Sequence, residues 1–220
     1  MKLADELFIK HTLIENTLLP YGFQKDGDLY FYNSLIHNDE FELQIVIKNQ
    51  KISAKLIEKE FHEEYTQINM ESTGGFINSL KEECGKVLLN IRDKCFKKES
   101  FIFPQTNRIA ESIQNRYGVL PEIMKFGSAS NSVFRNPVTR KWIGLVMYGK
   151  KRNIIGDSEE KVESLSLNFK EEADLYIGEK GIYHPYQKKN KNWVVMIMDD
   201  TLSDQKIMDY VSIGYEKSQR

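Results

Sequence analysis

The chain has 220 residues, of which 40% are hydrophobic and 29% charged, and its formal net charge is −1. At roughly 100–200 residues per domain, this makes one large or two small domains with enough apolar mass for a core. Near-neutral charge excludes a broad electrostatic attraction for nucleic acid or anionic lipid, so any such site must be a local patch.

The elements follow in chain order. From Leu3 to Leu19 the apolar positions Leu3, Leu7, Ile14 and Leu18 recur at helical spacing, and Pro20-Tyr21-Gly22 ends the run. The period then shortens. Strands are predicted at Leu29–Tyr32, Phe41–Ile47 and Ile52–Ile57, separated by the turn residues His37-Asn38-Asp39 and Lys48-Asn49-Gln50. Tyr65–Asn69 is predicted to add an edge strand. After Gly74-Gly75, one helical face carries Phe76, Leu80, Cys84, Val87, Leu88, Ile91 and Cys95. The two cysteines lie about 16 Å apart along that face, too far for a disulfide, and read as small buried side chains.

Ser100–Pro104 reads as a junction, giving domains 1–99 and 100–220. A helix with Ile109, Ile113 and Tyr117 on one side closes at Gly118. Strands are predicted at Trp142–Tyr148, Glu163–Phe169 and Trp193–Met198, with a short helix near Lys170–Ile177. Ser203 and its neighbours offer an N-cap for a last helix bearing Ile207, Tyr210, Val211 and Tyr215. The expected class is α+β, each domain an antiparallel sheet flanked by helices.

No apolar run approaches the roughly 18–20 residues of a membrane span. Met1-Lys2-Leu3-Ala4-Asp5-Glu6 lacks both the apolar core and the cleavage site of a secretory leader, so a cytoplasmic location is expected, with no membrane partner. His11, His37, His62 and His184 are scattered. Without His-x-x-x-His or Cys-x-x-Cys spacing, no metal site is predicted, and no cofactor loop or nucleophile motif occurs. Gly127–Ser132 reads as a surface turn. Glu159-Glu160 and Glu171-Glu172 are adjacent carboxylates whose side chains diverge, so no catalytic residue is assigned and no enzyme is expected.

Charge is distributed unevenly. The first 98 residues carry 13 Lys and Arg against 16 Asp and Glu, the remainder 18 against 16. Between Ile123 and Gly156 there is no Asp or Glu, while Lys125, Arg135, Arg140, Lys141, Lys150, Lys151 and Arg152 all occur. Lys188, Lys189 and Lys191 form a second group in the loop 181–192, beside Tyr183, His184 and Tyr186. Trp142 and Trp193 open the strands next to these groups. Basic residues interleaved with aromatics suit phosphate neutralisation and base stacking. The two groups meet only if their strands neighbour each other at the same end of a sheet; otherwise the tryptophans are core and the lysines merely solvated. An acidic run, Asp157, Glu159, Glu160, Glu163, Glu171, Glu172 and Asp174, reads as a solvated face or as a repulsive border to the basic side.

In the second half, Asn136-Pro137-Val138-Thr139-Arg140-Lys141-Trp142 leads into Ile143-Gly144-Leu145-Val146, and Leu165–Lys170 follows. An aromatic loop then runs from Gly181-Ile182-Tyr183-His184-Pro185-Tyr186 to Trp193, before a C-terminal helix with Tyr210 and Tyr215. Over about Pro104 to Gln219 this order resembles the MmcQ/YjbR family of small bacterial proteins. Phe41-Glu42-Leu43 and Cys95-Phe96 resemble the N-terminal extension of its longer members. The resemblance implies a frataxin-like (CyaY-like) α+β sandwich in the second half, and the family carries a DNA-binding label. The loop departs from the family pattern in having Pro185-Tyr186 inserted and Asn192 before Trp193. Combined with the residue pattern, the expectation is a non-enzymatic DNA-binding protein using Arg140, Lys141, Trp142, His184, Tyr186, Lys188, Lys189 and Lys191. The alternative is a protein-interaction module that acts on a protein partner or a second copy of itself.

Overall fold

A computed structural model describes every residue except 72, 73, 127, 128, 186–191 and 220, and every described side chain except those of 125, 126, 129, 130 and 171. The architecture is α+β, and the chain divides into two compact units, Met1–Glu99 and Ser100–Arg220.

In the first unit, α1 (Lys2–Leu7) is followed by β1 (His11–Leu13), one 3-10 turn and α2 (Leu18–Tyr21). The predicted single helix over Leu3–Leu19 is therefore broken. Lys10 takes φ 57°, and His11, Thr12 and Leu13 pair with Lys98, Lys97 and Phe96. A ladder to a segment some 85 residues away thus overrides a helical pattern that rested on few apolar positions and held the β-branched Ile9, Thr12 and Ile14.

The strands β2 (Gln24–Asp26), β3 (Leu29–Ile36), β4 (Phe41–Lys48), β5 (Lys51–Glu58) and β6 (Glu63–Glu64) form one antiparallel sheet in that order. Lys48 pairs with Lys51, so Asn49 and Gln50 alone make the β4–β5 turn, both with positive φ, as a two-residue hairpin of matching twist requires. The edge strand lies at Glu63–Glu64 rather than Tyr65–Asn69. Thr66–Asn69 coils into a 3-10 turn that tucks Ile68 into the core.

Alternation along β4 buries Phe41, Leu43, Ile45 and Ile47 against α3 (Gly75–Cys95), which buries Leu80, Cys84, Leu88, Ile91 and Cys95. Phe76, at the start of that face, stays exposed. Both cysteines are free and buried, and burial pushes the Cys84 thiol up to about 12. The unit closes with β7 (Phe96–Lys98).

The second unit opens with α4 (Pro104–Tyr117), started by a proline in its first turn and ended by Gly118 at φ 67°. Then come β8 (Glu122–Phe126), β9 (Ala129–Arg135), β10 (Trp142–Lys150), β11 (Lys161–Asn168), β12 (Ile182–Tyr183), β13 (Trp193–Ile197) and α5 (Asp204–Gln219). A 3-10 segment, Lys170–Leu175, replaces the short predicted helix. The sheet order is β12-β13-β11-β10-β9-β8, antiparallel throughout.

The surface turn predicted at Gly127–Ser132 is mostly strand. Ala129–Ser132 belong to β9, their backbone polar groups satisfied by pairing with β8 although their side chains give no strand signal. Residues 127 and 128 lie outside the described residues. Helix α5 starts at the Ser203 cap, whose Oγ accepts the Lys206 N–H at 3.3 Å. It lies on β10 and β11 through Gly214, where an added Cβ would stand 3.1 Å from the Ile143 carbonyl oxygen. That close approach carries the last turn of α5 over one end of the sheet. The core joins Phe134, Ile143, Leu167, Phe169, Val194 and Val211. Among the described residues no helix is long and apolar enough to cross a membrane.

Candidate functional site

Strands β10 and β13 each pair antiparallel with β11, so they run parallel to one another and begin at the same end of the sheet. Trp142 opens β10. Trp193 opens β13, where it pairs with Asn168, the last residue of β11. The two indoles meet across the end of β11 with ring centroids 6.2 Å apart and an interplanar angle of 80°. Of the condition set by the sequence, that the two strands neighbour each other at one sheet end, the shared end is present, but β11 lies between the strands.

The indoles line a cleft of about 270 Å³ together with Lys141, Asn168 and Lys170, and α5 contributes Lys217 and Ser218. Each side chain has a local reason for its position. The Arg135 guanidinium lies 5.4 Å from the Trp142 ring centroid, a cation–π contact that holds the indole. Asn168 Oδ1 accepts the Lys170 backbone N–H at 2.9 Å, a turn that gives Lys170 φ 53°. Asn136 accepts the backbone N–H groups of Val138 and Thr139 at 2.9 and 3.1 Å, and its amide donates to Ser218 Oγ at 3.0 Å. The turn before Trp142 is thereby tied to the end of α5.

Charge at the cleft is only partly neutralised. Lys217 is paired with Glu172. Lys141 and Lys170 have no ion-pair partner among the described residues. Among the described residues, three lysines line the cleft and one carboxylate, Glu172, is paired with them.

Of the residues assigned from sequence, Lys141 and Trp142 are in the cleft. Arg140 does not line the cleft, and its exposed guanidinium donates to Glu122 at 2.8 Å. His184 is exposed, one position past Tyr183, and does not line the cleft. Tyr186, Lys188, Lys189 and Lys191 lie outside the described residues. Trp193, noted in the sequence as a strand opener, joins Trp142. Asn168, Lys170 and Lys217 are additions. Lys170 could have been suspected from Asn168-Phe169-Lys170 at a strand end; nothing in the sequence marks Lys217.

The run of basic residues from Lys125 to Arg152 does not form one patch. Arg135 and Arg140 both hold Glu122, at 3.0 and 2.8 Å. At the opposite end of β10, Lys150 pairs with Glu159 at 2.6 Å, Arg152 with the same carboxylate, and Lys151 with Glu160 at 3.6 Å. Two members of the acidic run, Glu159 and Glu160, are thus counter-charges for the basic run, Glu172 pairs with Lys217, and Asp157 and Asp174 are exposed. Glu163 is buried, and its two oxygens accept the backbone N–H groups of Ile102 and Phe103 at 2.9 and 3.0 Å. Near that end, Arg108 binds Asp200 and Asp204. The Arg108 hydrogen bond, helped by Gln105, holds the Asp204 carboxyl below its ordinary range.

Among the described residues no group of three or more His, Cys, Asp or Glu is placed to hold a metal ion. No protein-family model matches the chain, and no curated protein matches it. A crystal structure of a Pseudomonas syringae protein is similar to 50% of this chain and 96% of its own, at 20% identity and a TM-score of 0.45. A solution NMR structure from the same organism covers 51% and 91%, at 19% identity and the same TM-score.

Proposed function

We propose that the second unit binds DNA without catalysing a reaction on it, as a protein of the MmcQ/YjbR type, through the cleft between Trp142 and Trp193. One observation carries this reading: two indoles stand together at a sheet end among lysines, two of which are unpaired among the described residues, while Arg140, Lys150, Lys151 and Arg152, on or beside the ends of β10, are paired with carboxylates. Aromatic faces beside unspent positive charge are what a nucleic-acid chain requires, stacking for its bases and neutralisation for its phosphates.

Fluorescence anisotropy with short single- and double-stranded DNA at about 50 and 200 mM salt tests the proposal. Binding that weakens as salt rises is expected, since each phosphate contact adds roughly 0.7 to 0.9 to the log–log slope. Absence of binding at the lower salt overturns it.

An exposed apolar surface at Tyr30-Phe31-Tyr32, or stable self-association, would favour the rival, a protein-interaction module. Tyr30 is buried and its two neighbours are half-buried, so that surface offers the rival no support.

A further inference from the structure

We infer that the Trp142–Trp193 cleft accepts one unpaired nucleotide, so that its ligand is single-stranded nucleic acid or a frayed end rather than an intact duplex. The inference rests on the nucleic-acid reading above and narrows it by the shape of the site.

Inside a duplex both faces of every base are covered by its neighbours, and only base edges show in the grooves. Proteins that read duplex grooves insert a projecting helix or ribbon. Here the aromatic groups line a recess of about 270 Å³. An indole at the wall of a recess can meet the face of a base only if that base has left its stack.

The angle between the rings sets the number of bases. At 80° and 6.2 Å the two indoles make a corner, not a parallel slot. One base can lie flat on one indole with its edge against the other. The neighbouring polar groups fit the rest of a nucleotide. Lys141 precedes Trp142 directly, and Lys170 follows Asn168 by two residues. Both lysines line the cleft without described ion-pair partners, which leaves their ammonium groups for the phosphates on either side of the base. Asn168 spends its Oδ1 on the Lys170 backbone, leaving amide donors for a base edge or a phosphate oxygen. Lys217, held by Glu172, is not in the contact set.

The test uses a property of this chain: Trp142 and Trp193 are its only two tryptophans. Intrinsic tryptophan emission of the full chain therefore reports this corner alone. It would be titrated with a short oligothymidine, with the same strand in a blunt duplex, with an abasic strand of equal length, and with polyglutamate.

Saturable quenching by the single strand is expected. The abasic strand keeps the phosphates and lacks the bases, so it should bind at least about 5-fold more weakly, the lower bound for one stacked base. The duplex should be weaker by a similar factor or more. Quenching by the duplex as strong as by the single strand, or an abasic strand binding equally well, overturns the inference while leaving nucleic-acid binding in place. Polyglutamate quenching as strongly as the oligonucleotide overturns it in favour of an acidic protein partner. If no oligonucleotide binds, by emission or by anisotropy, the broader reading fails as well.

Discussion

The two ends of strand β10 carry similar basic residues and use them differently. At the Lys150 end, Lys150, Lys151 and Arg152 are matched to Glu159 and Glu160. Nearby, Glu163 is buried on backbone amides and Asp204 is locked to Arg108. At the Trp142 end, Arg140 is matched to Glu122, but Lys141 and Lys170 stand beside two indoles with no carboxylate assigned to them among the described residues. Positive charge in a sequence is thus not positive surface. What counts is the charge left over once the hairpins have closed, and here it is left where the aromatic side chains are.

The comparison can be broken most sharply at the Lys150 end through Glu163. Replacing Glu163 by Ala strands the half-buried amides of Ile102 and Phe103, and the expected loss is about 2–6 kcal/mol of stability, at roughly 1–3 kcal/mol for each of the two groups. Chemical denaturation measures it. A loss under about 0.5 kcal/mol would contradict the structural role given to that carboxylate.

At the other end, Trp142→Ala combined with Trp193→Ala should weaken binding of a short single strand by about 5-fold to 150-fold, the equivalent of one stacked base. Thermal melting of the same variant separates lost binding from lost folding.

A smaller effect is expected in the pH dependence. The Arg108 hydrogen bond depresses the Asp204 pKa in the folded state. The stability it supplies is therefore present above the unfolded value near 3.9 and is lost as pH falls through the folded one. Asp204→Asn should be less stable than the parent at neutral pH, and the gap should close on acidification below about pH 4. A gap that persists unchanged in acid would show that the carboxylate charge is not what Arg108 uses.

The smallest effect belongs to Lys151→Ala, which breaks half-exposed ion pairs with Glu160 and Asp199. It should cost no more than about 1 kcal/mol of stability and leave DNA affinity unaltered in an anisotropy titration.

Local patterns carried much of the fold. The alternation in Phe41–Ile47, the helical face from Leu80 to Cys95, the Gly118 stop and the Ser203 cap all depend on near neighbours, and the structure has them where the sequence suggests. Long-range pairing was not legible. His11–Leu13 becomes strand only because Phe96–Lys98 lies beside it, and Ala129–Ser132 becomes strand only because β8 does.

The candidate site divides in the same way. Trp142 and Lys141 stood out as an aromatic–basic pair. Lys217 reaches the cleft only because Gly214 lets α5 sit against Ile143, a packing fact with no trace in spacing. Nor could the sequence say that Glu122 would bind Arg140 across a hairpin.

The most direct test is a paired charge reversal, one at each end of β10, with single-stranded DNA affinity measured by anisotropy at about 50 mM salt. Lys141→Glu with Lys170→Glu should reduce affinity by two orders of magnitude or more, on the order of two phosphate contacts turned into repulsions. Lys150→Glu with Lys151→Glu, an equal change in net charge, should alter it by less than about 3-fold. Equal losses from both pairs would mean that the whole second unit attracts DNA diffusely, and the assignment of binding to the Trp142–Trp193 cleft would be wrong.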